Sequence, residues 1–319
     1  MSVIDQAQGH NFAIYNADCV EAIRDMPDSS IGLSVFSPPF ASLYTYSDDD
    51  RDMGNCADGD EFAEHFRFLI PEILRVTKPG RLCAVHCMNL TTTIGRDGVI
   101  GLRDFRGEII RAFVELGWVY HSEVCIWKDP VQAMQRTKAL GLLHKTIRTD
   151  SSQSRQGLPD YVVVFRKPGK NPEPIAHGED FPVAMWQRYA SPIWASIGDN
   201  DGYGMRLMGA EPTPGDDSSG INPGDTLQHR SAREHDDERH ICPLQLDVTR
   251  RAIKLWSNPG DVVLSPFMGI GSEGVSALKL KRRFIGIELK PSYFKHATRY
   301  LEQAERQGDF LFAGIEAAE

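Results

Sequence analysis

The chain alternates short apolar runs with amphipathic stretches, and this alternation restricts the fold more than any other feature. The apolar runs have the length and composition of buried strands, whereas the amphipathic stretches repeat apolar residues at helical spacing. Strands are predicted over residues 12–16, 31–36, 81–87, 118–127, 161–165, 261–264 and 283–287. Helices are predicted over residues 19–26, 61–77, 105–116, 244–256, 275–280 and 291–306. Strands that alternate with helices predict an α/β fold with a mostly parallel sheet.

Length and composition are those of an ordinary globular protein. The 319 residues are 41% hydrophobic and suffice for one large domain or two modest ones. No apolar run approaches the ~20 residues of a membrane span, and the first residues lack the basic and apolar regions of a signal peptide. The six cysteines are scattered without a Cys-x-x-Cys pair, which favours free thiols. We therefore expect a cytoplasmic protein without a membrane partner.

A metal site at Cys83, His86 and Cys87 is disfavoured by their spacing. All three lie within one predicted strand, where alternation sends His86 to the face opposite both cysteines. We therefore expect no metal.

The tetrapeptide Ser37-Pro38-Pro39-Phe40 directly follows the predicted strand 31–36. Neither proline can donate to a strand ladder, so a rigid turn stands at the carboxyl end of the strand, where open α/β sheets bind ligands. A flat base could stack on Phe40 and donate both hydrogens of an exocyclic amino group, one to the Ser37 hydroxyl and one to the Pro38 carbonyl. Taken alone, the tetrapeptide is equally compatible with a proline-terminated strand that carries a surface aromatic residue.

A glycine-rich turn follows the predicted strand 261–264 and opens a helix. Its residues Gly269-Ile270-Gly271-Ser272-Glu273-Gly274 match G-x-G-x-x-G, and the acid Glu288 ends the next strand, as that fingerprint requires. The glycines admit a ligand close to the backbone, and the carboxylate can accept both hydroxyls of a ribose. The pattern predicts an adenosine-containing cofactor, with a tight turn that binds nothing as the alternative.

The position of this turn predicts a circularly permuted sheet. Only residues 289–319 follow Glu288, which suffices for one helix, whereas a nicotinamide-binding fold would continue with further strand–helix units. The N-terminal strands 12–16 and 31–36 must then complete the sheet. This order places Ser37 beside the glycine turn on the same edge of the sheet.

The stretch 134–155, between two predicted strands, is basic. Its cations are Arg136, Lys138, Lys145, Arg148 and Arg155, against the single acid Asp150. Cations among hydroxyl and amide side chains fit contacts to phosphates, although a solvated helix and loop is the alternative. The formal net charge of −9 does not exclude nucleic acid, because a basic patch is sufficient.

The order of these motifs resembles a known family. Ser-Pro-Pro-Phe, the basic stretch and a C-terminal Ser265-Pro266-Phe267-x-Gly269-x-Gly271 followed by Glu288 are similar to the amino-directed (N4-cytosine or N6-adenine) DNA methyltransferases of the permuted β group. The resemblance covers both ends of the chain and leaves out much of residues 170–238. It implies a Rossmann-like methyltransferase fold with S-adenosylmethionine as cofactor. It also implies double-stranded DNA as substrate and restriction-modification as context, in a bacterium or a phage-infected host cell.

The resemblance also divides the chain. Residues 1–127, 160–167 and 240–319 would form the catalytic domain from its permuted halves. Residues 128–159 would form an inserted DNA-contacting segment. Residues 168–239, which are rich in Gly, Pro and polar residues, would form a linker and a flexible or target-recognition region.

The cofactor residues implied by the resemblance surround the glycine turn. They are Asp18, Pro243, Ser265, Phe267, Gly269, Gly271 and Glu288. Glu288 matches the ribose ligand and Asp18 the acidic position near the adenine. Ser265 departs from the family, which usually carries Asp there. The change removes a carboxylate near the methionine amino group, for which Asp18 or a water could substitute.

The resemblance bears on the target base as well. Family members with Asp before the two prolines mostly act on adenine, and those with Ser often act on cytosine, so Ser37 favours N4 of cytosine over N6 of adenine. A C5-cytosine enzyme would need a cysteine in a Pro-Cys context, and Cys242-Pro243 has the reverse order. The remaining alternatives are methylation of RNA or a protein amide, an NAD-dependent oxidoreductase, and an inactive nucleic-acid-binding protein. The oligomeric state is open, a homodimer included.

Overall fold

A computed structural model describes residues 3–39, 59–92, 94–137, 140–179, 181–195, 221–222, 224–228 and 244–316. The N-terminal part holds β1 (Asp5–Gln8), β2 (Phe12–Asn16), α1 (Cys19–Arg24), β3 (Ile31–Phe36), α2 (Gly59–Val76) and β4 (Thr77–Met88). The middle part holds β5 (Leu90–Thr92), α3 (Ile94–Asp97), β6 (Gly101–Arg103), α4 (Phe105–Glu115), β7 (Val119–Ile126), α5 (Pro130–Thr137), α6 (His144–Thr149), β8 (Asp160–Arg166), α7 (Val183–Tyr189) and β9 (Ile193–Trp194). The C-terminal part holds α8 (Leu246–Trp256), β10 (Val262–Ser265), α9 (Ser272–Lys279), β11 (Arg283–Glu288) and α10 (Pro291–Glu316).

The large sheet interleaves strands from the two ends of the chain. It has nine strands in the order β1-β2-β11-β10-β3-β4-β8-β7-β9. The central strands from β2 to β4 run parallel to one another, whereas β1, β7 and β8 pair antiparallel with their sequence neighbours or with β4. The α/β class, the mostly parallel sheet and the permuted order are therefore confirmed.

Helices cover both faces of the sheet, which explains why its central strands are apolar on both sides. Helices α1, α2 and α4 bury residues such as Ile23, Phe66 and Phe113 against one face. Helices α8, α9 and α10 bury the opposite face. All six residues of β3 are buried between these layers. Each fully buried large apolar side chain contributes about 1.5–3 kcal/mol, so burial on both faces stabilises the strand that leads to Ser37.

The predicted helix 61–77 and strand 81–87 leave a break at residues 78–80, and the structure shows no such break. The strand β4 already begins at Thr77, because Thr77 pairs with Ile31 before a register shift in the ladder with β3. Gly80 allows this path with a φ of +72°. The antiparallel pair of β5 and β6 lies in residues 88–104, for which the sequence predicts neither a helix nor a strand.

Ile193 and Trp194 add a strand to the large sheet, although they lie in the segment that the sequence assigns to a linker or to target recognition. The strand β9 pairs with the end of β7, and Trp194 is fully buried with its ring 6.4 Å from that of Trp256. A strand of two residues has no hydrophobic period, so the sequence pattern could not reveal it.

Three strand ends and the insert meet at one edge of the sheet. The antiparallel pairing places Asp160, the first residue of β8, opposite Met88 at the end of β4 and opposite Ile126 at the end of β7. Residues 127–159 therefore leave and rejoin the sheet at the carboxyl edge of the parallel strands, where Ser37 lies. We call this edge of the sheet the catalytic edge. None of the helices described here is long and apolar enough to cross a membrane.

Candidate active site

Ser37 and the two prolines stand directly after β3 at the catalytic edge. Pro38 is buried, whereas Ser37 and Pro39 are half-buried. The neighbouring strand β10 leads into the glycine turn, and the ring of Phe36 lies 5.8 Å from the ring of Phe267. The structure thus brings the two predicted motifs side by side. Phe40 lies outside the described residues.

A hydrogen-bonded chain extends from Ser37 into the protein. The Ser37 Oγ lies 3.2 Å from His86 Nδ1, and His86 Nε2 lies 3.2 Å from Asp160 Oδ2. Lys128 Nζ is 2.5 Å from the same Asp160 oxygen. Sequence reasoning placed His86 on its own face of β4 but did not connect it to Ser37, and it missed Asp160 and Lys128. Their only sequence signal was that each lies at the end of a strand.

The hydrogen-bond and charge partners of Asp160 keep its carboxyl group ionised despite its burial. His86 is 8% exposed and Asp160 is 3% exposed. Burial acts to raise the pKa of Asp160, but the hydrogen bond from His86 and the charge of Lys128 outweigh burial, so the pKa of Asp160 lies below its ordinary value. Asp160 is therefore a carboxylate at neutral pH.

The two cysteines on the other face of β4 take no part in this chain. Both Cys83 and Cys87 belong to the apolar cluster under α2 and α4. Burial raises the pKa of both thiols. Within the part of the chain that the structure describes, no group of His, Cys, Asp and Glu residues could hold a metal ion.

The glycine turn is shaped by backbone geometry that favours glycine. Gly269 and Gly271 have φ angles of +53° and +97°. The Gly269 N–H donates to Glu288 Oε2 at 2.9 Å, and the Lys290 N–H donates to Glu288 Oε1 at 2.8 Å. A Cβ on Gly274 would lie 2.6 Å from side-chain atoms of Phe284 and of α10. The carboxylate of Glu288 thus fixes the backbone at the start of the turn, and Gly274 packs closely against Phe284 and α10 at its end.

The residues of this turn fit the predicted cofactor. A Cβ on Gly269 would meet no atom within 4 Å, so the backbone there faces open space. The carboxylate of Glu288 is already oriented toward the turn, as a ribose ligand would be. Ser265 Oγ is fully buried and has no hydrogen-bond partner among the described residues, which leaves it available to a ligand.

Two acids near the turn differ from what the sequence implied. Asp18 accepts the Glu21 N–H at 2.9 Å and caps α1, so one of its oxygens is already used. Glu273, which sequence reasoning did not assign, is 3% exposed in the first turn of α9. Burial, and to a lesser degree the charge of Glu288, raises the pKa of Glu273 to about 8. Pro243 lies outside the described residues.

The basic insert lies at the catalytic edge, but its predicted DNA contacts differ in exposure. Lys145 and Arg148 are exposed on α6. Arg155 is half-buried, and its Nη1 donates to the Gln156 carbonyl at 3.0 Å. Arg136 lies in α5, and Lys138 lies outside the described residues. Among the predicted cations whose exposure the structure describes, Lys145 and Arg148 are the exposed ones.

Comparisons with known proteins give one consistent result. A family model described as DNA methylase, which groups N6 and N4 methyltransferases, matches residues 31–299. The chain is 26% identical to the Type II methyltransferase M.BglII of Bacillus subtilis over 294 residues, which are 92% of this chain and 69% of that protein. It is 24% identical to the Type II methyltransferase M.MjaI of Methanocaldococcus jannaschii over 69% of this chain and 61% of that protein.

Solved structures show the same fold. TTHA0409 of Thermus thermophilus, in complex with S-adenosyl-L-methionine, superposes with a TM-score of 0.64 at 20% identity, over 93% of this chain and 94% of that one. The cytosine-N4-specific PvuII DNA methyltransferase superposes with a TM-score of 0.59 at 18% identity, over 94% of this chain and 90% of that one. With a family model that spans most of its length, the chain belongs to the DNA methylase family and is an S-adenosylmethionine-dependent DNA methyltransferase.

Proposed function

We propose that the protein methylates the exocyclic amino group of a base flipped out of duplex DNA, and that N4 of cytosine is the preferred target. The observation that carries this proposal is the position of Ser37 and Pro38 beside the glycine turn. Strands β3 and β10 are paired neighbours, and adjacent strands lie ~4.8 Å apart. A base held at Ser37 is therefore within reach of a cofactor held in the glycine turn after β10.

The residues after β3 suit an amino group. The Ser37 hydroxyl and the Pro38 carbonyl each accept one N–H, which orients the nitrogen lone pair out of the base plane. S-adenosylmethionine supplies an electrophilic methyl group when it is bound. Positioning of this kind accounts for a large part of many enzymatic rate accelerations. Stacking of the base on Phe40 remains a prediction, and it would offset part of the few kcal/mol that base flipping requires.

The basic insert supports duplex DNA as the substrate. Lys145 and Arg148 are exposed on a segment that leaves the sheet at the catalytic edge, so phosphates contacted there would flank a base bound at Ser37. The proposal thus assigns recognition of the base to Ser37 and Pro38, and contacts with the DNA backbone to the insert.

The choice of cytosine rests on Ser37 and is supported by the cytosine-N4-specific PvuII enzyme among the structural neighbours. N6 of adenine is the second candidate, because Ser37 and Pro38 would accept the hydrogens of either amino group. In the family, an uncharged hydroxyl before the prolines often accompanies action on cytosine, and the identity of the methylated nucleoside distinguishes the two bases.

The test is methyl transfer from labelled S-adenosylmethionine to mixed-sequence duplex DNA, followed by mass spectrometry of the nucleosides. We expect N4-methylcytosine in DNA and no label in RNA of the same sequence. N6-methyladenine would contradict the choice of base. A protein that binds the cofactor but labels no DNA would contradict the whole proposal.

The matched variant is Ser37→Ala. It removes the amine acceptor but leaves the glycine turn intact, so we expect the transfer rate to fall by ~10²-fold or more while the dissociation constant of the cofactor changes by less than about two-fold. An equal loss of rate and of cofactor binding would show that Ser37 does not act on the base.

A further inference from the structure

We propose that His86, Asp160 and Lys128 form a proton-accepting relay behind Ser37, and that His86 receives the proton that the target amine loses. The inference rests on the proposed amine methylation. Its basis is the continuous set of contacts from Ser37 Oγ to His86, from His86 to Asp160 and from Asp160 to Lys128. His86 lies in β4 and Asp160 in β8, whereas Ser37 follows β3 and Lys128 follows β7. The ends of these four strands meet at the catalytic edge.

The direction of each hydrogen bond follows from the ionisation of Asp160. A carboxylate can only accept, so His86 must donate from Nε2, and the neutral ring then carries a lone pair at Nδ1. That lone pair accepts the Ser37 hydroxyl hydrogen. The Ser37 oxygen is left with its own lone pairs directed away from His86, available to the target amine. This is the logic of a serine–histidine–aspartate triad, used here to accept a proton rather than to form a covalent bond to serine.

The step balances without any further reactant. The amine nitrogen forms a bond to the methyl carbon, the carbon–sulfur bond of the donor breaks, and its electron pair stays on sulfur. One N–H of the now cationic amine passes its proton to Ser37 Oγ while the Ser37 hydroxyl proton passes to His86 Nδ1. The product is a neutral methylated amine and an imidazolium held by Asp160, which returns its proton to water after the product leaves.

Asp160 is poorly explained by stability alone. Its Oδ1 is buried and lacks a hydrogen-bond partner among the residues that the structure describes. A buried carboxylate with one unsatisfied oxygen is costly to the fold. A negative charge beside His86 would, however, stabilise the imidazolium that forms during turnover.

The charged groups on the adjoining elements are held in other contacts. Across this face of the sheet, α8 carries Asp247, Arg250, Arg251 and Lys254. Arg250 pairs with Asp247, Arg251 lies 5.0 Å from the ring of Tyr189, and Lys254 lies 5.7 Å from that of Phe181. On the strands beside His86, β3 leads to Ser37, β8 begins with Asp160, and the segment after β7 supplies Lys128. Asp160 contacts His86 directly, and Lys128 contacts Asp160.

The experiment measures single-turnover methyl transfer to DNA by the wild type and by His86→Gln and Asp160→Asn between pH 5.5 and 9. A general base contributes ~10²–10⁴-fold, so we expect His86→Gln to be at least ~10²-fold slower at pH 7.5. We expect the wild-type rate to rise with pH to a plateau, and this inflection to be absent from His86→Gln. Cofactor affinity should change by less than about two-fold in both variants. His121→Gln, on the exposed part of β7, is the matched control and should keep the wild-type profile.

A His86→Gln rate within about three-fold of the wild type, or the same inflection in both proteins, would overturn the relay. If His86→Gln does not fold, Asp160→Asn and the wild-type profile decide, and a wild-type rate that is flat from pH 5.5 to 8 would overturn it as well. The proposed function fails separately, when the wild type produces no methylated nucleoside. The relay alone fails when the wild type methylates DNA and the variants do so equally.

Discussion

At the scale of single residues, partners decide which buried carboxyls keep their charge. Asp160 is almost fully buried, yet its pKa lies below the ordinary value because His86 and Lys128 offset the effect of burial. Glu273 is equally buried, and burial raises its pKa to about 8. At neutral pH the carboxyl group of Asp160 is therefore charged, whereas that of Glu273, beside the glycine turn, is mostly neutral.

Glu273 should make stability depend on pH. Its pKa is higher in the folded protein than the ordinary value of 4.5, so between these values the folded state binds the proton more tightly than the unfolded state. Glu273 therefore contributes stability that is fully present below pH 4.5 and is lost as pH rises toward 8. This loss lowers the free energy of unfolding by a few kcal/mol at most. We expect Glu273→Gln to remove this part of the decline, measured as the free energy of unfolding in urea from pH 5 to 8.

The matched control is Glu64→Gln on the exposed side of α2, whose stability curve should run parallel to that of the wild type. A parallel curve for Glu273→Gln as well would contradict the assignment of the pH dependence to this carboxyl.

At the scale of elements, antiparallel β7 and β8 place the insert where DNA would lie. Because β8 runs against β4, the chain between β7 and β8 emerges at the same edge as Ser37. Asp150 caps the short turn Ser151–Gln153 through the Ser152 N–H at 3.0 Å, so the one acid of the basic stretch is engaged within the insert. The helix α6 thereby presents Lys145 and Arg148 without a competing carboxylate from Asp150.

The double variant Lys145→Glu/Arg148→Glu should weaken DNA binding in a salt-dependent way. Each lost phosphate contact reduces the slope of log K against log salt by ~0.9, so we expect the slope to fall by about 2 and affinity at low salt to fall at least ~10-fold. The measurement is fluorescence anisotropy of a labelled duplex over a range of salt concentrations.

The control for this variant is Lys170→Glu/Lys279→Glu, which makes the same change of net charge. Both of its residues are exposed, and they follow β8 and end α9, at the opposite edge of the sheet. Equal losses in the two double variants would mean that total charge, and not the insert, governs DNA binding.

At the scale of the whole molecule, one buried ion pair joins the two permuted halves. Arg81 on β4 is fully buried, and its Nη2 lies 2.8 Å from both carboxylate oxygens of Asp261, which precedes β10. The Asp261 carboxylate also accepts the Asn258 N–H at 2.7 Å. The guanidinium also lies 3.9 Å from the exposed Glu173, but Asp261 is its buried partner. The pair therefore ties correct assembly of the sheet to the docking of the two ends.

Removal of one partner should therefore be severe. Asp261→Ala leaves a buried guanidinium without its carboxylate, for which we expect a loss of about 3–5 kcal/mol in the free energy of unfolding. The double variant Arg81→Leu/Asp261→Ala should lose less than the single one, because it leaves no unpaired charge. Denaturation in urea measures both.

The exposed pair of Arg67 and Glu115 provides the comparison for this pair. Its side chains are 46% and 55% exposed, so Glu115→Gln should change stability by less than about 1 kcal/mol. A loss of similar size in Asp261→Ala would show that the buried pair does not link the halves.

The sequence by itself determined the α/β class, the permuted order and the two motifs at the catalytic edge. These features depend on neighbouring residues, such as two prolines after an apolar run, or a glycine turn that opens a helix and is followed by Glu288 at the end of the next strand. Only the tertiary structure decided that His86 and Asp160 stand behind Ser37. Their contact depends on the register that sets Met88 of β4 opposite Asp160 of β8, although His86 and Asp160 are 74 positions apart in the sequence. Hydrogen bonds between distant strands set that register, and no local pattern of residues records them.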